Sequence, residues 1–259
     1  MTSDDHQLAA RLADEAGHRL LALRAQGGDP ADLRKAGDRS SHEFLMAELA
    51  ARRPGDAVLS EEGVDNPVRL AASRVWIVDP LDGTREFGET ERDDWAVHVA
   101  LWESGQLTAG AVALPSRRET LSTAAPPPTP PAPGAGGGRR ELRVVCSRTR
   151  PPAFLEQMRD VADITLVPMG SAGAKAATVI RGQADAYIHG GGQYEWDSAA
   201  PVAVAQAAGL HCSRLDGSAL TYNERDPLLP DILICLAPLA SFLVDAISAA
   251  RKAAAESQG

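Results

Sequence analysis

The chain has 259 residues, 44% hydrophobic and 24% charged, a globular composition that excludes wholesale disorder and fibrous folds. Its 26 Lys and Arg stand against 35 Asp and Glu, a net charge of −9, which excludes a general basic surface for gripping a nucleic acid polymer. The length calls for one large domain or two lobes. Cys146, Cys212 and Cys235 have no metal-ligand spacing and read as free thiols of a reducing compartment. The N-terminus shows neither a basic n-region nor an apolar h-region, and no apolar run is long enough to span a bilayer. A cytoplasmic protein without membrane association is expected.

Leu8, Leu12, Ala16 and Leu20 recur near a 3.6 period and predict a helix over 6–26, stopped by Gly27-Gly28. A second helix is predicted from Ser40 to Arg52. Val75–Val78 is a short apolar run that reads as a buried strand ending at Asp79. Alternation from Trp95 to Trp102 predicts a strand that puts His98 on its second face, where a packed or surface histidine is expected and not a ligand. Leu107–Leu114 and Glu119–Thr123 extend an antiparallel set. Pro126–Gly138 holds six Pro and four Gly in thirteen residues and reads as an exposed loop.

Strands are then predicted at Leu142–Cys146, Ile164–Pro168, Ala184–Ile188, Leu210–Leu215 and Ile232–Leu236. Helices are predicted at Pro151–Val161, Gly170–Ile180, Ser198–Ala208 and Leu239–Ala254. The fold class is α/β (α+β), in two lobes: 1–125, carrying the metal motifs, and 141–259, carrying the substrate pocket, joined by a loop over 126–140.

The acidity is concentrated. Asp56 to Asp94 carries eleven Asp and Glu, four Arg and no Lys. Within it lies Asp79-Pro80-Leu81-Asp82-Gly83-Thr84, directly after a predicted strand. Two carboxylates three apart on a tight turn can point at one spot. Pro80 fixes one φ, and Gly83 permits a backbone approach that a Cβ would block. Hard divalent cations take such oxygen ligands. Amides at a helix or turn starting at Gly83 would face an incoming phosphate. Ser60-Glu61-Glu62 upstream and Trp196-Asp197-Ser198-Ala199-Ala200 downstream bring the set to four carboxylates from three segments. That suffices for a two-metal site, in which paired cations activate a water and stabilise the leaving oxygen.

Those three segments, in that order, resemble the inositol monophosphatase superfamily. Thr84-Arg85-Glu86-Phe87 and Asp93-Asp94-Trp95-Ala96-Val97-His98 are most similar to its CysQ-type branch of 3′(2′),5′-bisphosphate nucleotidases. The resemblance implies a layered αβαβα fold and a Li⁺-sensitive phosphomonoesterase using two to three Mg²⁺. The implied substrate is 3′-phosphoadenosine 5′-phosphate (PAP). Glu61, Asp79 and the Leu81 carbonyl would hold one Mg²⁺, and Asp79, Asp82 and Asp197 a second. Thr84 and Glu61 would position the attacking water, and amides near Gly83 and Thr84 would hold the phosphate. Asp38 would support Thr84, although Lys35 replaces the Thr of the family's Thr-x-x-Asp and the usual Ser-Pro-Val run is missing. Ser171 and Lys175 fall in a Gly-Ser…Lys loop that contacts nucleotide, here one residue longer. His189 falls at a substrate-choosing position where inositol phosphatases carry Glu and nucleotidases a basic residue. Pro201 replaces a frequent Gly. A homodimer would fit such a family.

The same metal core would also serve inositol-1-phosphate or fructose-1,6-bisphosphate. A catalytically silent metal- or nucleotide-binding protein is a further reading. The haloacid dehalogenase Asp-x-Asp-Gly-Thr pattern is similar too. This chain has one extra residue between the Asp positions, and that mechanism needs an aspartyl-phosphate.

Overall fold

The computed structural model describes residues 3–131 and 141–256. Helix α1 (Ser3–Arg24) and helix α2 (Pro30–Arg52) come first. Helix α2 starts well before the expected Ser40, because Asp29 caps it, accepting from the amides of Ala31 and Asp32, with Pro30 in its first turn. The apolar period hides this start because Gly37 occupies an inward position. A Cβ there would lie 2.8 Å from the Phe87 ring and 3.0 Å from Leu81, so glycine lets α2 lie close to the strand end that carries the acidic motif.

Strands β1 (Ala57–Ser60) and β2 (Arg74–Asp82) follow, then the short helix α3 (Thr84–Gly88) and strands β3 (Ala96–Glu103), β4 (Gln106–Leu114) and β5 (Glu119–Ser122). These five strands form one sheet in sequence order, with β1 parallel to β2 and the rest antiparallel. Next come β6 (Leu142–Ser147), α4 (Phe154–Val161), β7 (Ile164–Met169), α5 (Ala172–Ile180), β8 (Ala186–His189), β9 (Gln193–Tyr194) and α6 (Glu195–Ala207). Strands β10 (His211–Ser213), β11 (Leu228–Leu229), β12 (Ile232–Cys235) and helix α7 (Ala240–Glu256) complete the described chain. The second sheet has the order β10-β12-β8-β6-β7, and β9 pairs with β11 in a small ribbon.

Strand β2 explains the layering. Its alternate residues Trp76 and Val78 pack with Leu8, Leu12 and Leu45 of α1 and α2. Val75 and Ile77 face the opposite way, into a core shared with α5 and α6. Tyr187, Ile232 and Ile234 of the second sheet close that core from its far side. Helices α4 and α7 cover the outer face of the second sheet, through Phe154, Met158, Leu243 and Ile247. The result is the expected αβαβα stack. Helix α5, pressed between two sheets, is buried at all nine residues, which is why Lys175 is its single charge. All three cysteines are free thiols as expected, with Cys146 and Cys235 buried and Cys212 half-buried. Pro126–Pro131 forms no helix or strand, and Thr129 and Pro130 lie against Gly209 and Gly182 beyond the ends of α6 and α5. The rest of the expected Pro/Gly-rich loop, 132–138, lies outside the described residues.

Candidate active site

The acidic motif is not a tight turn throughout. Strand β2 continues through it to Asp82, and its register against β3 shifts between Asp79 and Asp82. The Leu81 amide donates to Asp79 Oδ1 at 3.0 Å, and the Pro80 carbonyl accepts from Ser41 Oγ at 2.7 Å. This irregular step turns two carboxylates three residues apart towards one side. Gly83 then takes φ +85°, and α3 begins at Thr84. A Cβ at Gly83 would meet Ser171 Cβ at 2.9 Å and the Asp94 carbonyl at 3.3 Å, so glycine is required twice over.

Asp82 crosses to the second half of the chain. Its Oδ1 accepts from the Ala172 amide at 3.1 Å and its Oδ2 from Gly173 at 2.7 Å, both at the N-terminus of α5, where a negative charge is favoured. Asp197 arrives on the first turn of α6. That helix starts at Glu195 and not at the expected Ser198, and Asp197 Oδ2 accepts from the Tyr194 amide at 2.7 Å.

One oxygen each of Asp79, Asp82 and Asp197 lies within 4.8 Å of the other two. Burial pushes Asp79 well up, reinforced by the charges of Glu61, Asp82 and Asp197. Burial, with Asp82 beside it, pushes Asp197 up to about 6. Asp82 is held below the usual range. Burial alone would raise it, but His98, Lys175 and the Gly173 amide override that. Buried carboxylates that raise one another's pKa are relieved by a shared cation. Oxygen-only donors select hard divalent metals. The residues therefore fit a divalent metal site.

Glu61 follows β1 and lies within hydrogen-bonding reach of Asp79. Burial, then Asp197, Asp82 and Glu62, raise it to about 7. Thr84 Oγ1 lies 3.4 Å from Asp38 Oδ1 and 3.1 Å from the Leu81 carbonyl. Asp38 sits inside α2 and is raised to about 6 by burial and by Glu62.

Beside these acids opens a cleft of about 430 Å³. Its wall includes Gly83, Thr84, Ser171, Lys175, His189, Gln193, Arg148 and Arg150. Ser171 caps α5, its Oγ accepting from the Ala174 amide. Lys175 is buried, its Nζ on the Gly170 carbonyl and 5.3 Å from the Tyr187 ring centre. Burial lowers its pKa, against the pull of Asp82 and Asp197. His189 ends β8 with Nε2 2.7 Å from the Gly191 carbonyl. Burial, then Lys175, lower it to about 4. Its Nδ1 and Gln193 Oε1 are buried without a partner among the described residues.

Of the expected site residues, Asp82, Gly83, Thr84, Ser171, Lys175, His189 and Asp197 line this cleft, while Asp79 joins Asp82 and Asp197 in the acidic cluster and Asp38 reaches it only through Thr84. Sequence reading missed two groups. His98, expected to be packed or on the surface, is packed, and against Asp82, with Nε2 3.1 Å from Oδ2. Arg148 follows β6 and bonds Glu86 and Glu89 of the α3 region across the cleft. The Ser147–Arg150 stretch carried a visible signal, two arginines directly after a predicted strand.

Comparison with known proteins matches residues 5–244 to the inositol monophosphatase family. The 3′-phosphoadenosine 5′-phosphate phosphatase of Mycobacterium tuberculosis (strain CDC 1551 / Oshkosh) is 53% identical over 241 residues, covering 90% of each chain. The protein of that name from Mycobacterium leprae (strain TN) is 49% identical, covering 94% of this chain and 93% of that one. The 3′(2′),5′-bisphosphate nucleotidase CysQ of Escherichia coli (strain K12) is 32% identical, covering 85% of this chain and 94% of its own. A crystal structure of CysQ from Bacteroides thetaiotaomicron superposes with a TM-score of 0.77 at 25% identity, covering 91% of this chain and 98% of that one.

Proposed function

The chain belongs to the inositol monophosphatase family, and from that premise we propose that it hydrolyses the 3′-phosphate of PAP, giving AMP and phosphate. One observation carries the reading. A chain 53% identical to a PAP phosphatase keeps three converging carboxylates beside an intact Asp38–Thr84 pair. The substrate is a small phosphate ester, and we take the metal to be Mg²⁺, two to three per site. Among the described residues no helix is long and apolar enough to cross a membrane.

Asp79, Asp82, Asp197, Glu61 and the Leu81 carbonyl would hold the Mg²⁺ ions, which when bound lower the pKa of water and neutralise phosphate charge. Thr84 orients the attacking water. Its single proton points to the Leu81 carbonyl or to Asp38. When Thr84 donates to Asp38, the water's proton passes to Thr84 Oγ1 as Thr84's own proton moves to Asp38, whose pKa is raised to about 6. Glu61 helps to position the water, and the departing 3′-oxygen takes a proton from solvent. The amides at Gly83 and Thr84 face the phosphoryl oxygens, as anions require. Lys175 balances charge deep in the cleft, Ser171 holds the start of α5 beside the phosphate, and His189 contacts the nucleoside. Arg150 gives the rim positive charge for a second phosphate, and Arg148 reaches the same rim while held by Glu86 and Glu89.

The test is phosphate release with Mg²⁺, with and without Li⁺, from PAP, inositol-1-phosphate and fructose-1,6-bisphosphate at matched low concentrations. PAP should give the highest kcat/KM, and Li⁺ should inhibit. Preference for either sugar or inositol ester would keep the metal chemistry and overturn the nucleotide assignment. No phosphate release from any ester, with Mg²⁺ and PAP still bound, would make the protein a silent binder.

A further inference from the structure

We propose that His98 is a positioning residue that locks Asp82 and the first turn of α6 into one metal-accepting geometry. The inference rests on the reading of Asp82 and Asp197 as metal ligands.

His98 lies on β3, on the face turned to α5 and α6, and is fully buried. Its Nδ1 lies 3.1 Å from the Trp196 carbonyl, one residue before Asp197, and its Nε2 lies 3.1 Å from Asp82 Oδ2. One imidazole thus spans the two carboxylate-bearing segments, which are 115 residues apart in the numbering (82 to 197). Nδ1 bonds the Trp196 carbonyl, which can only accept, and Nε2 faces Asp82 as a close ion-pair contact without hydrogen-bond geometry. The surroundings are built for this reach. The neighbouring inward residues of β3 are Ala96 and Ala100, and α5 presents Gly173, where a Cβ would stand 2.3 Å from His98 Nε2. Asp82 takes hydrogen bonds from the Ala172 and Gly173 amides. The carboxylate is therefore held by α5 on one side and by β3 on the other, and neither contact touches substrate. Groups that orient a metal ligand in this way commonly account for about 10–100-fold in metal affinity or activity.

The experiment measures Mg²⁺ binding to the full chain by calorimetry, and steady-state rates across Mg²⁺ concentration. The proteins are wild type, His98→Phe, His98→Gln and the control Asp82→Asn. Circular dichroism and Tm establish folding. His98→Phe should weaken Mg²⁺ binding about 10–100-fold, with rates restored towards wild type by excess Mg²⁺ and KM for PAP little changed. His98→Gln, which keeps a single amide group to offer, should fall between. If either folded His98 variant binds Mg²⁺ as tightly as wild type, even with a lowered Tm, His98 is only a packing residue and the proposal fails. If Asp82→Asn also binds Mg²⁺ normally, the metal-ligand reading itself is wrong. Loss in Asp82→Asn alone refutes only the role of His98.

Discussion

Thr84 and Asp38 are 46 residues apart in the chain, yet Thr84 Oγ1 stands 3.4 Å from Asp38 Oδ1. Helix α2 delivers Asp38 from its interior, and Gly37, pressed on Phe87 and Leu81, sets the approach. Asp38 touches none of the carboxylates grouped for metal. Its removal should therefore separate proton handling from metal binding.

Asp38→Asn should leave Mg²⁺ affinity near wild type and lower kcat by about 10²–10⁴-fold, the range for a lost general base. In the wild type, kcat should fall as pH drops through about 6, since Asp38 is raised there by burial and Glu62 and is competent when deprotonated. The variant should lose that limb. Unchanged kcat, or an equal loss of Mg²⁺ affinity, would place Asp38 outside the proposed relay.

Much of this was legible because the acidic motif is contiguous and follows an apolar run, so its residues announce a strand end without tertiary information. Asp38 was legible only by resemblance, since Lys35-Ala36-Gly37-Asp38 carries no local signal and the helix start at Asp29 hides behind charged residues. His98 was read as packed or on the surface, and it is packed. Its meaning depends on Asp82 and Trp196 arriving from other elements, which no alternation pattern encodes. His189 was legible as a position and not as a chemistry. Whether its ring is a cation or an acceptor depends on burial beside Lys175.

Asp82→Asn and Asp82→Ala should differ in stability and agree in activity. Asn retains one acceptor for the α5 amides now held at 3.1 and 2.7 Å. It should stay folded, losing about 1–2 kcal/mol, whereas Ala leaves two buried amides unpaired and should lose more. Both should lose most turnover. Chemical denaturation and phosphate release measure the two effects. Wild-type turnover in Asp82→Asn would remove Asp82 from the metal set.

Metal removal should make stability depend on pH in a defined sense. Glu61 at about 7 and Asp197 at about 6, each raised first by burial and then by neighbouring acids, bind protons more tightly folded than unfolded. Their contribution is greatest below the unfolded carboxylate values near 4, and is lost as pH rises through 6 and 7. Asp82, which is depressed, acts in the opposite sense, and only at more acidic pH. The metal-free Tm should fall between about pH 5 and pH 8, and saturating Mg²⁺ should raise Tm more at the higher pH, because metal and protons compete. Equal Mg²⁺ shifts at both pH values would argue against these carboxylates as the site.

His189 lines the cleft wall that the proposed reaction gives to the nucleoside. Its Nε2 faces the Gly191 carbonyl at 2.7 Å, which only accepts, so that nitrogen carries the proton. Burial, then Lys175 and Arg150, hold the ring down to about 4, so at neutral pH it is uncharged and Nδ1 presents a lone pair. Beside it Gln193 donates from Nε2 to Tyr187 and keeps Oε1 free. Both atoms are buried and unpartnered among the described residues, so a nucleoside reaching them would meet acceptors, where a basic residue at this position would donate, and would be met through its hydroxyl or amine donors and not its phosphate. His189→Phe should raise KM for PAP about tenfold, roughly the ~1–1.5 kcal/mol of one buried hydrogen bond, with kcat little changed. His189→Arg should not restore it. PAP kinetics between about pH 5 and pH 8 should show no titration assignable to His189. An improved KM in the arginine variant would mean that a phosphate, not a hydroxyl or amine, meets this wall.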